Sequence, residues 1–261
     1  MAANASTEKL EARIDETLAE TFPASDPPFW TLGCEFHSQS DLTVHSPKTG
    51  QAQAPTLEEV GKRRIDMSTT VNILGIAGSL RRASYNRAAL RAAQHLLPQD
   101  ATLDIFDLDG IPGFNQDEEQ YPPVKVTELK ARVRAADAIL FATPEYNYSM
   151  LGVQKNASDW ASRSYGDSAW EGKPVALMGA SPGMLGTVRA QYHLRQVFVF
   201  LNMYPLNRPE VMIAQADKRF DAAGNLIEEQ AKEFIRQLLQ NLTTWTRHLQ
   251  KAQVEGGDPL R

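Results

Sequence analysis

The stretch ILGIAGSLRRASYNRAALRAA, Ile73 to Ala93, decides how the chain folds. Val71 to Ala77 is a continuous β-rich apolar run, the pattern of a strand buried on both faces. Tyr85 to Leu97 then reads as helix, so the residues between form the turn of a strand–helix unit. That turn is unusually polar. Gly78 permits a tight bend. Ser79, Ser84 and Asn86 offer short hydrogen-bonding side chains, and Arg81 offers a charged fork suited to phosphate. The helix N-terminus adds free amides and its dipole. The turn is neither G-x-x-x-x-G-K-[ST] nor G-x-G-x-x-G, so the expected ligand carries one phosphate rather than a pyrophosphate. On this loop alone, a capping Ser84 with solvated arginines explains the residues equally well.

Outward from this unit the alternation continues. Strands are predicted at Thr102–Leu108, Ala138–Thr143, Pro174–Gly179 and Arg208–Ile213. Helices are predicted at Val124–Ala136, Leu151–Ser162, Thr187–Asn202 and Glu228–Leu249. Such alternation implies right-handed crossovers and a parallel sheet covered on both faces. Five strands fit an α/β, flavodoxin-like three-layer sandwich of order 2-1-3-4-5, whose ligands sit beyond the carboxyl ends of the strands.

Two further loops therefore matter. After the third strand, TPEYNYSMLGVQKNASDW brings Pro144, Glu145, Tyr146 and Asn147 to the sheet edge. Backbone groups beside an aromatic side chain make a wall for a flat heteroaromatic ring, though a plain turn with an exposed tyrosine has the same composition. After the fourth strand, GASPGMLGTVRAQYHLRQ supplies Gly179, Ser181, Gly183 and Gly186. These glycines allow close approach to a ring edge or to a second ligand. Arg189, a cation in a first helical turn, is disfavoured by the helix dipole, which points to a functional or interface role. His193 and Arg195 suit an ordinary exposed face.

The 261 residues carry a net charge of -5, which gives no basic surface for nucleic acid. The single cysteine, Cys34, excludes an intrachain disulfide and a CxxC motif. The five histidines are scattered, so no metal site is expected. No apolar run approaches the ~20 residues of a membrane helix, and the polar start lacks a signal region. A cytoplasmic protein is expected. Residues 1–66 read as a weakly ordered, partly helical extension, with Leu10, Ile14, Leu18 and Phe22 on one stripe. Within it ETFPASDPP resembles a motif of very short bacterial proteins of unknown function. The remaining domain spans 67–261.

The segments GSLRRASYN, FNQDEE, PEYNYS, KNASDWASR and GASPGMLGTVRAQYHLRQ, in that order, resemble the NADPH-dependent FMN reductase family, which includes bacterial quinone and chromate reductases. The resemblance implies that Ser79, Arg81, Ser84 and Asn86 bind the FMN phosphate. It implies that Pro144, Glu145, Tyr146 and Asn147 line the isoalloxazine ring, with Ser181 and Gly183 on the opposite rim. Two departures from the family pattern, Leu151 before Gly152 and Gln154 before Lys155, fall beside the ring.

The expected function is an NAD(P)H oxidoreductase that passes hydride through FMN to a quinone, flavin, chromate or azo compound. No side chain need act as nucleophile. A non-enzymatic electron carrier or redox sensor is the alternative. The family also implies a homodimer or homotetramer, with Trp160, Tyr165 and Trp170 as interface core unless those rings pack on their own sheet.

Overall fold

The computed structural model describes residues 70–254. The predicted extension, with its helical stripe and Cys34, lies outside them. A parallel sheet runs in the order β2-β1-β3-β4-β5, formed by β1 (Val71–Ala77), β2 (Ala101–Phe106), β3 (Ala138–Ala142), β4 (Pro174–Ala180) and β5 (Tyr204–Pro205). The expected 2-1-3-4-5 order is present. The fifth strand, however, arrives in two pieces. Tyr204–Pro205 pairs with the start of β4, while β6 (Val211–Ile213) pairs with its end. Pro209 lies in the break, where a missing N–H would interrupt a ladder.

Helices α1 (Tyr85–Gln94), α2 (Val124–Ala135), α3 (Gly152–Ala161) and α4 (Val188–Phe200) are crossovers. A short α5 (Ala216–Arg219), which periodicity does not reveal, precedes the closing α6 (Glu229–Val254). Alternate strand residues feed two cores. Val71, Ile73, Leu140 and Met178 pack under α1 and α6 with Leu90, Ile235 and Leu239. Leu74, Ile76, Ile139, Phe141 and Leu177 pack under α2, α3 and α4. At Gly75 a β-carbon would stand 3.0 Å from side-chain carbons of both Leu90 and Leu103, so the bare backbone lets α1 lie close to β1.

The aromatic segment after the ring loop belongs to this monomer core, which corrects its expected place in an interface. Trp160 and Trp170 are each 1% exposed. Trp160 donates its indole N–H to the Pro112 carbonyl at 2.9 Å, and Trp170 donates to that of Ser158 at 3.0 Å. Tyr165 remains exposed, with the Arg163 guanidinium 4.3 Å from its ring centroid. An indole whose N–H has a partner is a satisfied core residue.

Candidate functional site

The carboxyl ends of β1, β3 and β4 surround a cavity of about 400 Å³. It is lined by Ser79, Arg81, Ser84, Asn86, Pro144, Glu145, Tyr146 and Ser181, eight of the expected site residues. Tyr85, Ala180 and Pro182 complete it, and none of the three stood out in the sequence. Asn147 and Gly183 sit outside the lining.

One end is built by the start of α1. Ser84 caps that helix, its Oγ accepting the amides of Asn86 at 3.2 Å and Arg87 at 3.4 Å. The hydroxyl proton stays available to a ligand. The amides of Arg82, Ala83 and Tyr85 have no protein acceptor among the described residues. Arg81 bends back to the Ala83 carbonyl and lies 5.8 Å from the Tyr85 ring centroid. Free amides, two hydroxyls, an arginine and the dipole of a ten-residue helix converge here. Such a donor set fits a phosphate monoester.

Asn86, in the cavity lining as expected, also has a structural part. Its amide is buried and bonds twice to Ala180, Nδ2 donating to the carbonyl and Oδ1 accepting the N–H, both at 2.9 Å. The side chain clips α1 to the end of β4 and keeps one Nδ2 hydrogen for a ligand. It positions the cradle.

The other end is a wall. Pro144 leads from β3 into a tight hairpin closed by Tyr146 and Ser149, whose amides and carbonyls pair at 2.9–3.0 Å. Asn147 and Tyr148 occupy its corner at φ 48° and 66°, which is rare for a tyrosine. The tip is held by His193, whose Nδ1 lies 2.9 Å from Ser149 Oγ. His193, unassigned from sequence, therefore ties α4 to the hairpin.

Glu145 faces inward. Its carboxylate accepts the backbone amides of Arg189 at 3.0 Å and Ala190 at 3.4 Å, and it pairs with the Arg189 guanidinium. The hydrogen bond that its guanidinium donates to Glu145 raises the Arg189 pKa above its ordinary value. The functional or interface role expected of Arg189 gives way to a structural one. The anion that the α4 dipole favours comes from Glu145, and Arg189 neutralises it. The Tyr148 ring lies 3.6 Å from the guanidinium carbon.

The glycines after β4 also serve the protein rather than a ligand. A β-carbon at Gly179 would overlap Thr187 Oγ1 at 1.7 Å, and one at Gly186 would meet the Met212 carbonyl carbon at 2.6 Å. At Gly78 it would stand 2.2 Å from Gln154 Oε1. Gln154 is completely buried beside Gly78, and neither end of its amide has a partner among the described residues. One of the two departures beside the ring is thus an unsatisfied buried amide.

A phosphate cradle and a flat wall in one cavity fit a flavin mononucleotide. The sequence model described as NADPH-dependent FMN reductase matches residues 71–218. The chain is 53% identical over 185 residues to an NAD(P)H-dependent FMN reductase of Pseudomonas aeruginosa, covering 70% of this chain and 99% of that protein. It is 40% identical over 177 residues to a 2-hydroxy-1,4-benzoquinone reductase of a Burkholderia species, covering 68% of this chain and 97% of that protein. Among solved structures, a flavoenzyme NAD(P)H:(acceptor) oxidoreductase from Paracoccus denitrificans superposes with a TM-score of 0.64 at 31% identity. The match covers 69% of this chain and 98% of that one.

Proposed function

Because the chain belongs to the NADPH-dependent FMN reductase family, we propose that it is an oxidoreductase taking electrons from NAD(P)H and passing them to a small quinone-type acceptor. The observation that carries this reading is the pairing, in one cavity, of a phosphate cradle at α1 with the Pro144–Tyr146 wall. FMN, when bound, would supply two-electron redox chemistry between the nicotinamide and the acceptor.

The chain's own residues bind and orient. Ser79, Arg81 and Ser84 hold the phosphate, with the free amides of Arg82, Ala83 and Tyr85 beside them. Asn86 fixes the distance between this cradle and Ala180. Pro144, Glu145 and Tyr146 form the ring wall, Glu145 through its hold on α4 and Asn147 by turning the hairpin corner, and Ser181 forms the opposite rim, its Oγ accepting the Gly183 amide at 3.1 Å. Tyr146, 60% exposed, is free to cover an arriving substrate. Quinones, free flavin, chromate and azo compounds all suit such an open site.

The reading extends to assembly and place. Tyr192, Val199 and Phe200 leave an apolar face of α4 open, with Val199 81% exposed, which supports a homodimer or homotetramer. Among the described residues no helix is long and apolar enough to cross a membrane. A cytoplasmic location is part of this reading.

Steady-state assays with quinone, flavin, chromate and azo acceptors, each with NADPH and NADH, test the proposal. Turnover by flavin-loaded protein supports it. Bound FMN that neither nicotinamide reduces would make the chain a carrier or sensor instead.

A further inference from the structure

A second cavity, of about 380 Å³, adjoins the phosphate end of the first and shares Arg81, Ser84 and Tyr85 with it. Arg82 and Arg91 line it from α1 and its leading turn, and Asp221 and Gly224 from the loop after α5. It continues along α1 into a space of about 330 Å³ that adds His95 and Lys232. We propose that this groove holds the 2′-phosphoadenosine end of NADPH, with Arg82 and Arg91 selecting that phosphate. The proposal rests on the oxidoreductase reading above.

The charges are the first argument. Arg82 and Arg91 are exposed and have no carboxylate partner among the described residues, whereas neighbouring Arg87 pairs with Asp107 and Arg219 with Glu228. In a chain of net charge -5, two arginines without an ion-pair partner in one concavity mark a place for an anion. Asp221 is the opposing charge. Its carboxylate already accepts the Asn225 backbone amide at 2.8 Å and the Asn225 side-chain amide at 2.9 Å.

Shape is the second argument. Gly224 sits at φ +84°, and a β-carbon there would stand 3.3 Å from Arg91 Nη2. The bare backbone keeps the guanidinium accessible. The space far exceeds one phosphate, and Ala88, Ala92 and Leu96 give it apolar wall. Its occupant therefore combines an anion with a flat, weakly polar body, as a phosphorylated adenosine does. Two guanidinium forks match a phosphate monoester, which NADPH carries on its adenosine ribose and NADH lacks. A nicotinamide stacked on the exposed face of the flavin ring leaves the rest of its dinucleotide free to run past Arg81.

The test compares wild type with Arg82→Ser, Arg91→Ser and the double variant, all FMN-loaded. Calorimetry with 2′,5′-ADP should show binding to wild type and about tenfold weakening or more for each substitution, the loss typical of a charge-assisted hydrogen bond. KM for NADPH should rise in parallel, and in Arg91→Ser the KM for NADH and the flavin content should stay at wild-type values. Absence of 2′,5′-ADP binding to wild type, equal binding by the double variant, or equally tight binding of inorganic phosphate alone would overturn the proposal. So would equal losses for NADPH and NADH. Flavin absorbance is read separately, so a protein that takes no FMN defeats the oxidoreductase reading and is not mistaken for failure of the groove.

Discussion

Glu145 caps a helix that begins more than forty residues later in the chain, its Oε2 accepting the Arg189 amide at 3.0 Å. The same carboxylate is only 7% exposed and pairs with the Arg189 side chain, so one residue closes both the hairpin and the start of α4. Glu145→Ala should cost about 2–3 kcal/mol, because helix amides and a cation lose their acceptor together. Glu145→Gln should recover part of the loss through its amide oxygen. Urea unfolding of both variants checks the order.

Arg81 and Asn86 separate binding from support. Arg81→Ala should weaken FMN by roughly 1.5–3 kcal/mol and leave unfolding nearly unchanged, since its side chain touches only the nearby Ala83 carbonyl and Tyr85 ring among the described residues. Asn86→Ala should instead lower stability by about 1–3 kcal/mol, because Ala180 loses both partners in a buried place. Flavin titration and urea unfolding on the two proteins should give opposite rankings.

Gln154 predicts a gain. Both ends of its buried amide lack partners among the described residues. Gln154→Leu removes that desolvation at similar volume and should stabilise the flavin-free protein by about 1 kcal/mol or more. A loss of stability would mean that the amide has a partner in solution.

Asp167 gives a pH signature. Hydrogen bonds from Lys130 and then Arg134 lower its carboxyl pKa. A depressed folded pKa stabilises above the unfolded value near ~3.9, and the contribution disappears as pH falls through the lower folded value. The side chain is 63% exposed, so screening limits the effect to on the order of 1 kcal/mol or less. Asp167→Asn should therefore be weaker than wild type at pH ~7 and indistinguishable well below pH ~3. Unfolding curves across that range show the gap closing.

Every proposed flavin contact lies after Met67, so we propose that residues 1–66 are dispensable for chemistry. A chain beginning at Met67 should fold, bind FMN and turn over. Insoluble protein on that truncation would assign the extension to the core or the assembly.

The sheet order and the ligand-bearing end were legible because buried parallel strands have continuous apolar runs and each polar turn follows one. β1 was read to the residue. The divided fifth strand was not, since Tyr204–Pro205 is too short to have a period. Sequence gathered most of the cavity lining but did not reveal the structural contacts made where a polar side chain turns inward. Asn86 and Glu145 look like ligand-binding groups from their positions, yet their partners lie 94 and 44 residues away. Trp160 and Trp170 failed as interface residues for the converse reason. Their acceptors, Pro112 and Ser158, are backbone carbonyls that composition cannot reveal.

The contact between Gly78 and Gln154 also constrains how the chain can diverge. A β-carbon at residue 78 would stand 2.2 Å from the Gln154 amide oxygen, so residue 78 cannot gain a side chain while Gln154 stays in place. Descendants that gain alanine at 78 must first have lost length at 154, and that order makes the shorter residue the permissive step. Across relatives, a glutamine at 154 should occur only beside glycine at 78.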